Sequence, residues 1–324
     1  MNVISIRDVA PVHIGQAENK EAGTGCTVFI CPEGMSAGLD VRGGGPASRE
    51  SQILTPLAYA KQIHGIVLSG GSAFGLGAAD GVMKYLEERG IGFDVGVTHV
   101  PLVSQAGLFD LSVSDSSVRP DAAMGYEAAK NAMENPNYQD GNYGAGTGCT
   151  VGKIAGMEYC MKTGIGSFAI ELNGLKIGAV VALNALGDVY DWKTGRKTAG
   201  LLSEDKKLFR STDEVLSESF RVIKNRFVEN TNTTLAVLIT NAKFDKSALC
   251  KIAGMCHDGY ARSIRPVHTS FDGDSIYAVS AGDIEADQEV VGTIAADVIS
   301  EAILCAVKSA ESAYGFTAAK DLGL

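Results

Sequence analysis

Two short stretches of this 324-residue chain carry residue types that can do chemistry. Phe271-Asp272-Gly273-Asp274 sets two carboxylates two positions apart, ahead of the β-prone run SIYAVS. An Asp-Gly pair is an ordinary turn, and a carboxylate pair can also orient or deprotonate a nucleophile. Neighbouring carboxylates repel, so one of the two is expected to hold its proton near neutral pH. The second stretch, Asn232-Thr233-Thr234, opens onto TTLAVLIT, a buried-strand pattern. Thr favours strand entry on its own account. Composition and periodicity therefore do not by themselves make Thr233 a nucleophile.

Other candidates have plainer readings. SGGSAFG follows the apolar run HGIVL and opens a helical pattern, the setting of a phosphate loop. It lacks both the Gly-Lys-Ser/Thr ending and the dinucleotide glycine spacing. Gly70-x-Ser72-x-Phe74 nearly matches a nucleophile elbow, but Phe74 stands where the sharp turn needs a small residue. Ser72 reads instead as a helix N-cap. The five His are scattered, and His257, within an apolar helical pattern, reads as packed or surface rather than catalytic.

Positioning these residues requires a mixed set of strands and helices. A strand is expected from Gly25 to Cys31, followed by the glycine-rich VRGGGPASRE. After the HGIVL strand, a helix is expected to run from Ser72 to about Arg89, with Gly90 as its stop. A second helix spans Pro120 to Glu134. Asn173-Gly174 between two β-prone runs signals a hairpin whose second run ends at Asn184. Ser203 to Thr231 is dense in charge and reads as an exposed helix or linker, and the abrupt change at TTLAVLIT is a candidate boundary. In KSALCKIAGMCHDGYARS, Leu249, Ile252, Ala253, Cys256 and Tyr260 share one helical face. A longer apolar helix runs from Asp283 to about Lys308. The heptapeptide AGTGCTV occurs twice, at Ala22–Val28 and Ala145–Val151. Such a repeat reads as two equivalent loop-to-strand turns packing glycine against a neighbour, or as two turns lining one cleft.

Bulk properties narrow the function classes. Net charge is -10, and no segment gathers Lys and Arg into a strip, which disfavours nucleic acid. No apolar run reaches a membrane span and the N-terminus lacks a signal-peptide core, so no membrane partner is expected. The seven Cys are odd in number and form no C-x-x-C pair, which points to a reducing cytoplasm rather than disulfides or zinc.

The segments TGCTV, DVRGGGPASRES, HGIVLSGGSAFGLGAADGVM, GAGTGCTVGK, GAVVALNALGDV, NTTLAVLITNA and HDGYARSIRPVHTSFDGD, in this order, resemble the DmpA-type aminopeptidases over nearly the whole chain. That group includes β-aminopeptidases and nylon-oligomer hydrolases. The resemblance implies an α+β fold, a four-layer αββα sandwich of the DmpA/ornithine-acetyltransferase type. It implies one self-processing domain over residues 1–324, cut between Asn232 and Thr233 into an α chain (1–232) and a β chain (233–324). Thr233 would be the nucleophile, Asp272 and Asp274 the acidic pair, Asn184 the oxyanion-hole residue and Lys153 a cleft lysine. Phe109 stands where some members have a cleft Tyr, and Tyr143 would also line the substrate cleft. The implied activity is hydrolysis of small peptides or amino-acid amides with a free amino end, including β- or ω-amino linkages, without metal or organic cofactor and in a homo-tetramer of α/β units. The alternatives are an acyltransferase of the ornithine-acetyltransferase type and an uncleaved, non-enzymatic binding protein.

Overall fold

Side chains along a strand point alternately to its two faces, so a strand covered on both sides must be apolar throughout. The central strands of this chain meet that condition. The computed structural model describes residues 1–218 and 232–322. Its main sheet has ten strands, numbered here in chain order: β1 (Asn2–Val3), β2 (His13–Asn19), β3 (Thr24–Val41), β4 (Ala47–Arg49), β5 (Ile63–Ser69), β6 (Val103–Gly107), β7 (Ile165–Leu172), β8 (Leu175–Ala182), β9 (Leu235–Ala242) and β10 (Ser275–Ile284). Their spatial order is β1-β7-β8-β9-β10-β3-β5-β6-β4, with β2 also on β3. β9–β10 and β5–β6 run parallel, and the other pairs are antiparallel.

β3 belongs to two sheets. Its first half pairs with β2 and β5, and its second half with β10. The two halves of the sheet therefore fold face to face. Phe29, Ile66 and Leu68 from one sheet share a core with Val180, Val237 and Tyr277 from the other. The alternate residues look outward. Val28, Ile30 and Val67 pack under helices α1 (Ala78–Glu87) and α2 (Ala122–Glu134). Val181, Ala236, Leu238 and Ile276 pack under α4 (Lys246–Ser263) and α5 (Gln288–Lys308). Each such side chain, fully buried, is worth about 1.5–3 kcal/mol for the large aliphatics. The result is the helix–sheet–sheet–helix sandwich expected from the resemblance.

Local signals account for most element ends. Asp121, Asp245 and Asp287 cap α2, α4 and α5 through their carboxylates. Gly90, at φ +65°, ends α1, with Ile91 N–H donating to Leu86 O and Gly90 N–H to Glu87 O. Asn173 and Gly174, both at positive φ, turn β7 into β8. Leu249, Ile252, Ala253, Cys256 and Tyr260 are all buried on one face of α4.

Four expectations need correction. Ser72 is not an N-cap: it has a left-handed φ of +54° inside a 3-10 turn, Ser72–Gly77, and α1 begins at Ala78. β3 is 18 residues long, far beyond Gly25–Cys31, because it serves both sheets. α5 starts at Gln288, since Asp283 and Ile284 still belong to β10. α5 is also long and apolar enough to cross a membrane by length and composition, against the expectation of no such run; 67% of its most apolar stretch is buried in the protein, where it packs on β7, β8 and α4. Within the charged segment, Thr212–Glu218 forms a short helix, α3, and residues 219–231 lie outside the described residues.

Candidate active site

The residues before β9 continue its line alongside the loop that leads into β10. Asn232 N–H donates to Phe271 O (3.2 Å), Gly273 N–H to Asn232 O (2.8 Å), and Ser275 N–H to Thr234 O (3.2 Å). On the opposite side Thr233 N–H donates to Asn184 O (2.9 Å), two residues past the end of β8. The junction at 232–233 is thus gripped on both sides by main chain. Thr233 Oγ1 itself donates to Asn232 O at 2.5 Å. Thr233 is only 4% exposed.

The acidic loop is rigidified from within. Asp272 Oδ2 accepts from Thr269 N–H (2.7 Å) and Thr269 Oγ1 (2.6 Å). Asp274 Oδ1 accepts from Thr234 N–H (2.8 Å), and its Oδ2 faces both His268 N–H (3.1 Å) and His268 Nδ1 (2.9 Å). The glycine run of VRGGGPASRE lies along this loop: Arg42 and Gly43 N–H reach Asp274 O, and Gly45 N–H reaches Asp272 O (2.8 Å). A Cβ on Gly43 would sit 2.3 Å from Asp272 O, so only glycine allows the two backbones to close.

Lys153, Asn184 and Phe109 form the other wall. Buried Lys153 Nζ donates to Asn184 Oδ1 (2.6 Å) and Asn184 O (3.2 Å), and Thr150 N–H also reaches Asn184 Oδ1 (3.1 Å). These donors fix the side-chain amide so that its Nδ2 faces Phe109 O (2.9 Å). An amide nitrogen has two hydrogens, and Phe109 O accepts one of them.

Burial and charge set the proton affinities. Burial first, and the neighbouring Asp274 second, push Asp272 up to about 6. The direction of that shift is the one expected from repulsion between neighbouring carboxylates. Burial lowers Lys153 to about 8, with Cys160, Cys149, Asp272 and Asp110 opposing. Burial also raises Asp110 to about 6, against hydrogen bonds from Thr24 Oγ1 (2.7 Å) and Gly71 N–H (2.7 Å).

Asn232, Thr233, Asp272, Asp274, Asn184 and Lys153 are therefore brought together. Phe109 joins them through its carbonyl. Tyr143 is not tied to them: its ring receives Lys20 Nζ at 4.8 Å, and no hydrogen bond among the described residues links it to Thr233 or Asn184. The two AGTGCTV copies pack on each other, with Ala145 N–H donating to Thr27 Oγ1 (3.1 Å) and Gly148 set against Gly23 O and Asp110. His257 is fully buried, its Nε2 3.2 Å from Asp40 O, and burial, then His268, lowers it to about 3. Sequence reasoning missed His268 and Asp110 as parts of the site. His268 stands six positions before Asp274 in the quoted segment, and that proximity was its signal.

The sandwich is that of solved hydrolases. The L-aminopeptidase D-Ala-esterase/amidase from Ochrobactrum anthropi, described as a variant of the Ntn-hydrolase fold, superposes with a TM-score of 0.71 at 18% identity, covering 98% of this chain and 91% of that one. A β-aminopeptidase from Burkholderia gives 0.67 at 19%, with the same coverage. The chain thus has the N-terminal-nucleophile hydrolase fold.

Residues 4–320 match peptidase family S58, and the chain belongs to that family of amide-bond hydrolases. An uncharacterized aminopeptidase of Mycobacterium leprae is 37% identical over 339 residues, 96% of this chain and 92% of that protein. A 6-aminohexanoate-oligomer endohydrolase of Agromyces is 30% identical over 314 residues, 93% of this chain and 85% of that protein.

Proposed function

We propose that Thr233 is the nucleophile of a self-processing aminopeptidase, freed by cleavage of the Asn232–Thr233 bond, and that the mature enzyme hydrolyses small peptides or amino-acid amides with a free amino end. The observation that carries this reading is the seating of the junction. Asn232 O receives Gly273 N–H and the Thr233 hydroxyl at once, while Asn184 O holds Thr233 N. A donor on the carbonyl stabilises the charge that develops when Oγ1 attacks, and loss of such a donor costs about 2.7–4 kcal/mol.

After the cut, the Thr233 nitrogen becomes an α-amine, with an ordinary value of about 7.7–8.0, suited to take the hydroxyl proton. Asn184 O is already its acceptor. Asp274 orients the segment through Thr234 N–H, and the remaining Asn184 N–H serves the oxyanion. Lys153 holds the Asn184 amide in that orientation. The decisive test is intact-mass spectrometry. Wild-type protein yields two chains, the second beginning at Thr233, and Thr233→Ala stays whole; two fragments from the variant at this bond would sink the reading.

A further inference from the structure

The seat that Asn232 fills in the uncut chain has a second use, which rests on the reading of Thr233 as nucleophile. In self-cleavage Oγ1 bonds to the Asn232 carbonyl carbon, the C–N bond breaks, and the hydroxyl proton ends on the released amine. The product is an ester on Thr233 with a free α-amine beside it. Water then adds to that carbonyl, and Thr233 leaves as its alcohol. In turnover Oγ1 attacks the substrate carbonyl, the leaving amine takes the proton, and the intermediate is again an ester on Thr233 beside a free α-amine. The two esters differ only in their acyl residue. Whatever receives Asn232 therefore receives the acyl residue of a substrate.

Two features of that seat define what fits. Its main-chain groups are Phe271 O, which accepts Asn232 N–H, and Gly273 N–H, which donates to Asn232 O. They match a residue whose nitrogen and carbonyl are separated by one carbon. A 6-aminohexanoyl group places its nitrogen several carbons further away and cannot satisfy both. The Asn232 side chain is buried, with the residue 1% exposed, and neither its Oδ1 nor its Nδ2 has a hydrogen-bond partner among the described residues. A buried seat that fits the shape of Asn and leaves its amide unpaired favours an apolar side chain of the same shape. Leucine branches at the same position and carries no polar atoms.

We propose that the pocket occupied by Asn232 is the acyl-residue subsite of the mature enzyme, built for α-aminoacyl residues with a leucine-sized apolar side chain.

The processed wild-type enzyme, with its Thr233 terminus verified by sequencing, is assayed on the p-nitroanilides of leucine, asparagine, tryptophan and 6-aminohexanoate. Leucine is expected to exceed asparagine in kcat/KM by on the order of tenfold, and tryptophan and 6-aminohexanoate to fall below leucine. Asparagine at or above leucine, or 6-aminohexanoate above leucine, overturns the subsite and leaves the nucleophile in place. The precursor gives a second measurement. Asn232→Leu, folded by circular dichroism, should cut at the same bond at least as fast as wild type, and Asn232→Trp more slowly; an uncut Asn232→Leu chain overturns the subsite. A wild-type chain never cut before Thr233 overturns the nucleophile and the subsite together.

Discussion

The hydroxyl of Thr233 lies over Gly273, 2.6 Å from where a Cβ at that position would begin. Glycine between the two aspartates therefore does more than permit a turn: it leaves the space the Thr233 hydroxyl occupies. Gly273→Ala should push Thr233 aside while Asp272 and Asp274 keep their types. A misplacement of about 1 Å at a reacting atom costs on the order of 10²-fold. We expect self-cleavage and turnover both to slow by about that factor, followed as precursor mass against time. A variant that matures at the wild-type rate would show that the hydroxyl reacts from another position.

Asp272 and Asp110 should reveal themselves in pH dependence. Both carboxyls are raised to about 6 by burial. The folded chain then holds their protons more tightly than the unfolded chain. The stability they contribute is complete below about pH 4 and is lost as pH rises to about 6. Asp110→Asn should flatten this decline in denaturant midpoints. Asp272→Asn should also remove an acidic limb of kcat/KM near pH 6, with most of the rate. An unchanged limb in Asp272→Asn would assign it to another group.

Lys153 holds Asn184 at 2.6 Å, and it holds it most strongly while charged. Burial depresses it to about 8, so its proton is lost as pH rises through that value. Turnover should descend above pH about 8 as the Asn184 amide loses its charged partner. Lys153→Met should lack that limb and lose about 10²–10³ in kcat, the usual effect of a disordered oxyanion donor. A descending limb that persists in Lys153→Met would point to a different group.

His268 reaches one carboxylate oxygen of Asp274 twice, through its backbone N–H and through Nδ1, from a left-handed φ of +59°. Its ring stacks on Tyr260 and meets His257 edge-on. Asn tolerates the left-handed region and can place a donor near the Nδ1 position; Ala does neither. His268→Ala should lower kcat by about tenfold or more, as loss of a hydrogen bond to a charged group does, and His268→Asn should recover part of it with KM little changed. Equal activity in the two variants would reduce His268 to a packing residue.

Periodicity and turn chemistry made the helices and the Asn173-Gly174 hairpin legible, because those signals are local. The double duty of β3 was not legible, since an 18-residue strand bending between two sheets leaves no change of period in its sequence. Asp272, Asp274 and Thr233 were visible as residue types, yet their local readings were a turn and a strand entry. Only the resemblance joined residues 40 positions apart, such as Thr234 and Asp274. Ser72 misled for a related reason: an N-cap is inferred from residue type, whereas its backbone takes a left-handed turn fixed by Leu108 O through Ser72 N–H.

The position of the 232–233 junction within the sheet has a consequence for the folded lifetime of a cut protein. β9, which would begin one residue after the new terminus Thr233-Thr234, lies between β8 and β10 in the middle of the sheet. The cut would therefore separate β9 covalently from β8 without separating it in space. Folding of the precursor is a one-body event, whereas renaturation of the cut protein becomes a two-body encounter. Its melting midpoint should rise with protein concentration, while that of the Thr233→Ala precursor should not. Each molecule that unfolds after maturation is then diluted away from its own other half, so processing would turn a reversible fold into one that persists mainly by how slowly it opens.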